Sequence, residues 1–220
     1  MIQMDNSTTL QQVQLVPELV TEAQELRKKW LFLALKRLAD ILIVLAAGSV
    51  LMLPMLLVGI IVRLESKGPA IFKQQRIGRY GKAFTIYKFR TMRTSAPDQM
   101  ASRDFVNSDQ YITRFGALLR RTSVDELPQL WNILVGDMSL VGYRPVCLPE
   151  TDLNDLRMRY GVLNMRPGLT GLAQVSGRDN VTFEEKAQMD AQYVKSCGVK
   201  MDLTCLVKTV TTVISGEGLI

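Results

Sequence analysis

A chain of 220 residues that is 47% hydrophobic can bury one catalytic-size core and still supply a membrane element. Its 27 basic and 21 acidic residues leave a formal charge of +6, which favours anionic partners: lipid headgroups, phosphorylated substrates or nucleic acid. Histidine is absent, which excludes imidazole acid–base catalysis and histidine-ligated metal sites; Cys147, Cys197 and Cys205 lack CxxC spacing and fit packing roles in a reducing compartment.

Residues 1–24 are polar and carry no motif, as a tail or a short helix would. From Glu25 to Asp40 the pattern is helical, with Leu26, Trp30, Leu33, Leu35 and Leu38 among Arg27, Lys28, Lys29, Lys36 and Arg37. Such a basic amphipathic stretch suits a membrane interface or a solvated face. Ile41 to Val62 then runs 22 residues without a charge. As a straight helix this spans roughly 33 Å, about a bilayer core. Pro54 interrupts it, removing a backbone donor and predicting a kink. Basic residues flank both ends, so the positive-inside bias gives no orientation for a simple span. It fits a helix that enters, bends at Pro54 and returns to the same face; an ordinary kinked span is the other reading. A cleaved signal peptide is disfavoured, since the apolar run starts late and is long.

After the turn signal Ser66-Lys67-Gly68-Pro69 the chain becomes soluble in character. Ala70 to Gln75 and Ala83 to Met92 read as strands, with Lys88 and Arg90 projecting in one direction. Residues 95–110 read as a loop. Arg120 and Arg121 then precede the adjacent carboxylates Asp125 and Glu126, just before a helix start. Carboxylates beside cations and a helix N-terminus suit a divalent metal and phosphates. Two local readings stay open. Ser123-x-x-Glu126 resembles a capping box, which makes Glu126 partly structural. Alternatively Pro128 opens a helix that Gly136 ends, leaving both acids free to face a ligand. Further on, Thr182-x-x-Glu185 predicts a capped helix to about Ser196, stopped by Gly198. Asp202 is a candidate cap for a last helix, with Leu203, Leu206, Val207, Val210, Val213 and Ile214 on one packing face.

Five ordered segments carry a resemblance: Gly68-Pro69 through Gly78, Tyr87-Lys88-Phe89-Arg90-Thr91-Met92, Ser123 through Asn132, Gly136 through Gly142, and Arg166-Pro167-Gly168 through Gln174. In these the chain resembles the bacterial sugar transferases, the monotopic polyprenol-phosphate phosphoglycosyl transferases, from about Lys36 to the C-terminus. The resemblance implies transfer of a hexose-1-phosphate from a UDP-sugar to a polyprenol phosphate, usually undecaprenyl phosphate, with release of UMP. It also implies Mg²⁺ and a covalent phosphosugar on the aspartate of the acidic pair. Carried over, Asp125 is the nucleophile and Glu126 its metal-associated partner, with both acids as metal ligands. A carboxylate is already ionised at neutral pH, so its attack on phosphorus requires no histidine.

Arg120 and Arg144 are the leading phosphate-binding candidates, because a guanidinium can bond phosphate oxygens bidentately. Lys88 is a third, and Arg178 a candidate nucleotide contact. The family's Gly-Pro-Arg-Pro reads Gly142-Tyr143-Arg144-Pro145 here, so the loop carrying Arg144 is expected to sit differently. Leu53, rather than serine, precedes Pro54.

The expected fold is α+β: a mainly helical catalytic domain with a small β-sheet or hairpin, one Pro-kinked re-entrant membrane helix and interfacial amphipathic helices. The expected division is a variable segment at 1–24, membrane-associated helix at 25–66 and the transferase domain at 67–220. Location follows from the resemblance: the bacterial inner membrane, with the active site and its UDP-sugar on the cytoplasmic face. A homo-oligomer stays open, and a catalytically inactive nucleotide-sugar-binding scaffold is the rival reading. No nucleic-acid-binding fold or interleaved stacking aromatics accompany the positive charge.

Overall fold

The computed structural model describes residues 29–97, 108–176 and 181–215. Its first element, α1 (Trp30–Glu65), is one unbroken 36-residue helix that includes Pro54. The two predicted segments, basic and apolar, are thus a single helix that continues through Pro54 without the expected break. α1 is long and apolar enough to cross a membrane.

One stripe of α1 faces the rest of the protein: Asp40, Val44 and Val62 are buried, with Leu51, Met55 and Val58 packed beside them. The opposite side exposes Leu42, Leu45, Val50, Leu53, Leu56 and Ile60. An apolar surface of that extent suits lipid better than water.

The described basic residues of the first turns bond to the rest of the protein, whereas Arg27 and Lys28 lie outside the described residues. Lys29 Nζ donates to Lys195 O at 2.6 Å, Lys36 Nζ pairs with Asp202 at 2.7 Å, and Arg37 donates to Ile133 O and Leu134 O at 2.6 and 2.9 Å. Asp40 accepts from Ser139 Oγ at 2.8 Å. The other end of α1 is held just as closely. Arg90 donates to Lys67 O at 2.6 Å and Ser66 O at 2.7 Å, and Glu65 accepts from Phe115 N at 2.8 Å. Arg90, expected to project with Lys88, therefore satisfies carbonyls at a helix C-terminus, where a cation is favoured.

β1 (Ile71–Ile77) and β2 (Ala83–Phe89) form the predicted antiparallel hairpin, pairing Phe72 with Lys88 and Arg76 with Phe84. The segment 95–110 holds a short 3₁₀ turn, Ser108–Tyr111, beyond a stretch outside the described residues. Then come α2 (Arg114–Arg121), a 3₁₀ turn Val124–Glu126, and α3 (Gln129–Val135), closed by Gly136 at φ 98°. β3 (Ser139–Val141) and β4 (Gly168–Thr170) make a parallel pair beyond the expected hairpin. Their crossing requires glycine: a Cβ on Gly168 would lie 2.1 Å from Gly142 N.

Between them lies α4 (Thr151–Arg159); α5 (Leu172–Ser176), α6 (Phe183–Ser196) and α7 (Val199–Ser215) follow. The capping box Thr182–Glu185 is present in full. Asp202 lies inside the first turn of α7, paired with Lys36 and accepting from Tyr193 Oη, rather than capping the helix. Leu206 packs on the main core cluster around Val141, Tyr143, Val162 and Cys205, whereas Leu203, Val207 and Val210 of the predicted packing face are exposed.

Candidate active site

The acidic pair owes its position to two neighbouring helices. Thr113 caps α2, its Oγ1 accepting from Gly116 N at 3.0 Å. A Cβ on Gly116 would meet Thr91 O at 2.2 Å, so only glycine lets α2 approach the end of the hairpin this closely. That approach brings Arg120 to Thr91, with Nε donating to Oγ1 at 2.9 Å. Ser123 then takes a left-handed conformation, φ 55°, and its side chain makes no cap bond. This settles the two local readings. No capping box forms at Ser123, and Pro128 is the N-cap of the next helix, α3. A non-glycine residue at positive φ is a local cost of the kind held in place by surrounding structure at functional sites.

α3 is pinned to β2 by one side chain. Asn132, fully buried, donates to Thr85 O at 2.7 Å and accepts from Tyr87 N at 3.2 Å. The amide thus mimics a neighbouring strand, and Lys88, one residue beyond Tyr87, lands beside Glu126. Lys88 Nζ donates to Glu126 Oε1 at 2.7 Å. Arg144 reaches the same carboxylate from the loop after β3, its two terminal nitrogens at 2.6 Å from Oε1 and 3.3 Å from Oε2. Burial raises the Glu126 pKa, but Arg144 and Lys88 outweigh it and hold the carboxyl far below its usual range. Glu126 is therefore an anion at neutral pH that gathers two cations.

Asp125 differs. It is 9% exposed and makes no hydrogen bond or ion pair among the described residues. Burial pushes its pKa up, against the pull of Lys88, Arg120 and Arg144. Such a carboxylate is poorly solvated and unengaged, the state expected of a carboxylate nucleophile.

The Arg144 loop is held from behind. The Tyr143 ring is buried beneath the Arg157 guanidinium, 5.0 Å from its centroid, and Arg157 also donates to Arg144 O at 2.9 Å. Arg157 in turn is locked by Asp190 at 2.6 Å, both nearly inaccessible. The loop also runs along β1, where Ile77 N donates to Val146 O. Tyrosine in place of the family's proline thus supplies a buried platform, and Arg144 still faces the acidic pair.

Asp125, Glu126, Lys88 and Arg144 are together, and Arg120 contributes its charge to Asp125 while bonded to Thr91. Arg178 lies outside the described residues. Thr91, Asn132, Arg157 and Asp190 were not singled out from the sequence as site residues. Thr91 and Asn132 sit within the quoted motifs; the Arg157–Asp190 pair spans 33 positions without a local signal.

No group of three or more potential metal-ligating side chains occurs among the described residues. The pair nevertheless fits a Mg²⁺ ion, which commonly takes one or two carboxylates and completes its shell with phosphate and water. Asp125 has unengaged oxygens for it, whereas Glu126 already receives Lys88 and Arg144.

Known proteins resemble this chain in sequence. The profile of the bacterial sugar transferase family matches residues 31–216. Galactosyl transferase CpsE of Streptococcus agalactiae is 42% identical over 163 residues, covering 69% of this chain and 36% of that protein. The exopolysaccharide production protein PSS of Rhizobium leguminosarum bv. phaseoli is 40% identical over 202 residues, covering 84% of this chain and 98% of that protein. The undecaprenyl-phosphate galactose phosphotransferase of Salmonella typhimurium is 40% identical over 165 residues, covering 69% of this chain and 34% of that protein. The chain thus spans about a third of the first and third of these relatives and nearly all of the second. With that match running from the first turn of α1 through the end of α7, the chain belongs to the bacterial sugar transferase family.

Proposed function

We propose that this chain transfers a hexose-1-phosphate from a UDP-sugar to a polyprenol phosphate, undecaprenyl phosphate in a bacterial inner membrane, releasing UMP and opening synthesis of a surface glycan. The observation that carries the reading is Asp125: a buried carboxylate without a partner among the described residues, within the field of Lys88, Arg120 and Arg144. The names of the relatives point to the same class, among them an undecaprenyl-phosphate galactose phosphotransferase and a UDP-galactose-lipid carrier transferase.

In this mechanism an Asp125 oxygen attacks the phosphorus that bears the sugar. The bond from that phosphorus to the bridging oxygen breaks, and UMP leaves with the electron pair. A phosphate oxygen of the lipid then attacks the same phosphorus and expels Asp125 as free carboxylate. Neither step requires a base, because both nucleophiles are anions already. Arg120 and Arg144 bind phosphate oxygens, and Lys88 offsets charge beside them. Glu126 keeps Lys88 and Arg144 aimed at the reacting group. Mg²⁺ held through Asp125, its shell completed by phosphate and water, would supply charge neutralisation on the pyrophosphate.

Purified protein given a panel of UDP-sugars and undecaprenyl phosphate is expected to release UMP with one or a few of them, and to stop when Mg²⁺ is chelated. Nucleotide-sugar binding without UMP release from any donor would instead identify a scaffold.

The same reading makes α1 a re-entrant element. Both of its ends bond to one domain, near Asp202 and Ile133 at one end and near Arg90 and Phe115 at the other, while the intervening outer face is exposed and apolar. That fastening supports a helix whose two ends stay on one side of the bilayer, with Pro54 as the place to bend. Single cysteines at Ser7 and Ser102, in a cysteine-free background, are expected to react with a membrane-impermeant maleimide only after the inner membrane is opened. Labelling of position 7 from the periplasm would establish a full span.

A further inference from the structure

Away from the acidic pair, the structure gathers a second group of cations. Arg37 of α1, Arg79 at the tip of the β1–β2 hairpin and Arg166 before β4 line one cavity of about 50 Å³, together with Lys36, Asp40 and Ser139. Lys36 is paired with Asp202, and Asp40 is occupied by Ser139 Oγ and Leu140 N. Three arginines therefore share a small space with one carboxylate that is already hydrogen-bonded. Mutual repulsion is part of their state: burial first, then Arg79 and Arg37, lowers the pKa of Arg166.

The bonds these arginines make leave capacity over. Arg37 caps the carbonyls at the end of α3, and Arg166 uses its Nε on Gly136 O at 2.9 Å. Arg79 uses its Nε on Asn164 O at 2.8 Å and stacks over the exposed Tyr80 ring. The terminal nitrogens of Arg79 and Arg166 make no hydrogen bond among the described residues. A guanidinium cannot shed its proton to relieve such crowding, so the arrangement calls for an anion.

Its place narrows which anion. The cavity takes Leu33, Lys36, Arg37 and Asp40 from the N-terminal turns of α1, directly before the uncharged run begins at Ile41. In an inserted helix that level is the headgroup layer, where tryptophan and tyrosine also concentrate. Trp30, seven residues from Arg37 on the same helix face, and Tyr80 are both exposed there. The site is also apart from the reaction. Ala83, at the Arg79 end of β2, is roughly 17 Å along the strand from Lys88.

We propose that Arg79 and Arg166, backed by Arg37, form an anion site distinct from the acidic pair that seats the phosphodiester of an anionic phospholipid headgroup. A cavity of about 50 Å³ admits the charged phosphate oxygens, not a whole headgroup; the acyl chains then lie against the exposed apolar side of α1. This rests on the membrane insertion of α1 read above.

The test uses the full chain in detergent, titrated with phosphatidylglycerol or phosphatidylcholine and read by native mass spectrometry. Wild type is expected to hold one phosphatidylglycerol about tenfold more tightly than phosphatidylcholine, the effect of one to two basic side chains on an anionic lipid. Arg79→Gln and Arg166→Gln should each remove most of that preference while UMP release in detergent continues. Lys82→Gln, which deletes an exposed charge near the same hairpin tip, should leave it intact. Arg79→Lys, for which folding is the lesser concern, should keep only part, since it retains the charge and loses the fork. Equal affinity for the two lipids, or an equal loss in Lys82→Gln, would reduce the effect to general surface charge and overturn the site. Displacement of the bound lipid by millimolar inorganic phosphate would make it a soluble-phosphate site and overturn the lipid assignment. Failure of membrane insertion reads differently: wild type would then not enter even pure phosphatidylcholine vesicles.

Discussion

Asp125→Asn is expected to abolish UMP release, leave no phosphosugar attached to the chain, and make the protein harder to unfold. The amide is nearly isosteric but has no anionic oxygen to attack phosphorus. The stability gain follows from burial. The folded protein holds the Asp125 pKa above its ordinary value, chiefly by desolvation and despite Lys88. A group raised in this way favours the fold in its protonated form. That contribution is complete below the unfolded pKa and is lost as pH rises through the folded one. At neutral pH the ionised side chain therefore works against folding, and a neutral amide does not. Thermal melts across pH should show Asp125→Asn above wild type near neutrality, with the two curves converging in acid. An adduct detected by mass spectrometry on the asparagine variant would move the nucleophile elsewhere. Equal melting temperatures at neutral pH would contradict the buried, unpartnered state of the carboxylate.

Glu126→Gln is expected to lower kcat/KM by about 10²-fold, since bonds to charged groups carry about 1.5–3 kcal/mol each. Both contacts contribute to that loss: the Lys88 side chain is 19% exposed, whereas Arg144 at 44% is partly screened by water. The amide can accept from one cation but presents an N–H₂ group to the other. The pH profile should shift too. Burial lowers the Lys88 pKa, and Glu126 is the first of the groups that raise it. Without that anion Lys88 loses its proton at lower pH, so the alkaline limb of kcat/KM should move toward neutrality. Stability has the opposite sign from Asp125. The depressed Glu126 pKa stabilises the fold above the unfolded value, and this is lost as pH falls through the folded one. Activity within about twofold of wild type with an unmoved alkaline limb would remove Glu126 from its positioning role.

Much of the site was legible as local chemistry. The Asp125–Glu126 pair, Lys88 and Arg144 stand in short motifs, and Pro128 and Gly136 bound their helix by backbone rules that act within a few residues. The Thr182–Glu185 cap was readable for the same reason. Charge-free length likewise marked Ile41 to Val62 as a membrane-competent helix.

Local rules thus reach the chemical inventory and those elements whose stabilising contacts lie within one turn. Which carboxylate is free and which is tied was decided only by tertiary structure, because the partners of Glu126 come from 38 and 18 positions away. The fate of the basic residues was decided there as well. Lys36, Arg37 and Arg90 look like lipid-facing or catalytic cations in isolation, yet each bonds a distant carbonyl or carboxylate. Spacing cannot report this, since a long flexible cation carries no periodicity that distinguishes water, lipid or a helix end as its partner. The parallel pairing of β3 with β4 depends in the same way on two glycines 26 positions apart, whose value appears only when their backbones cross.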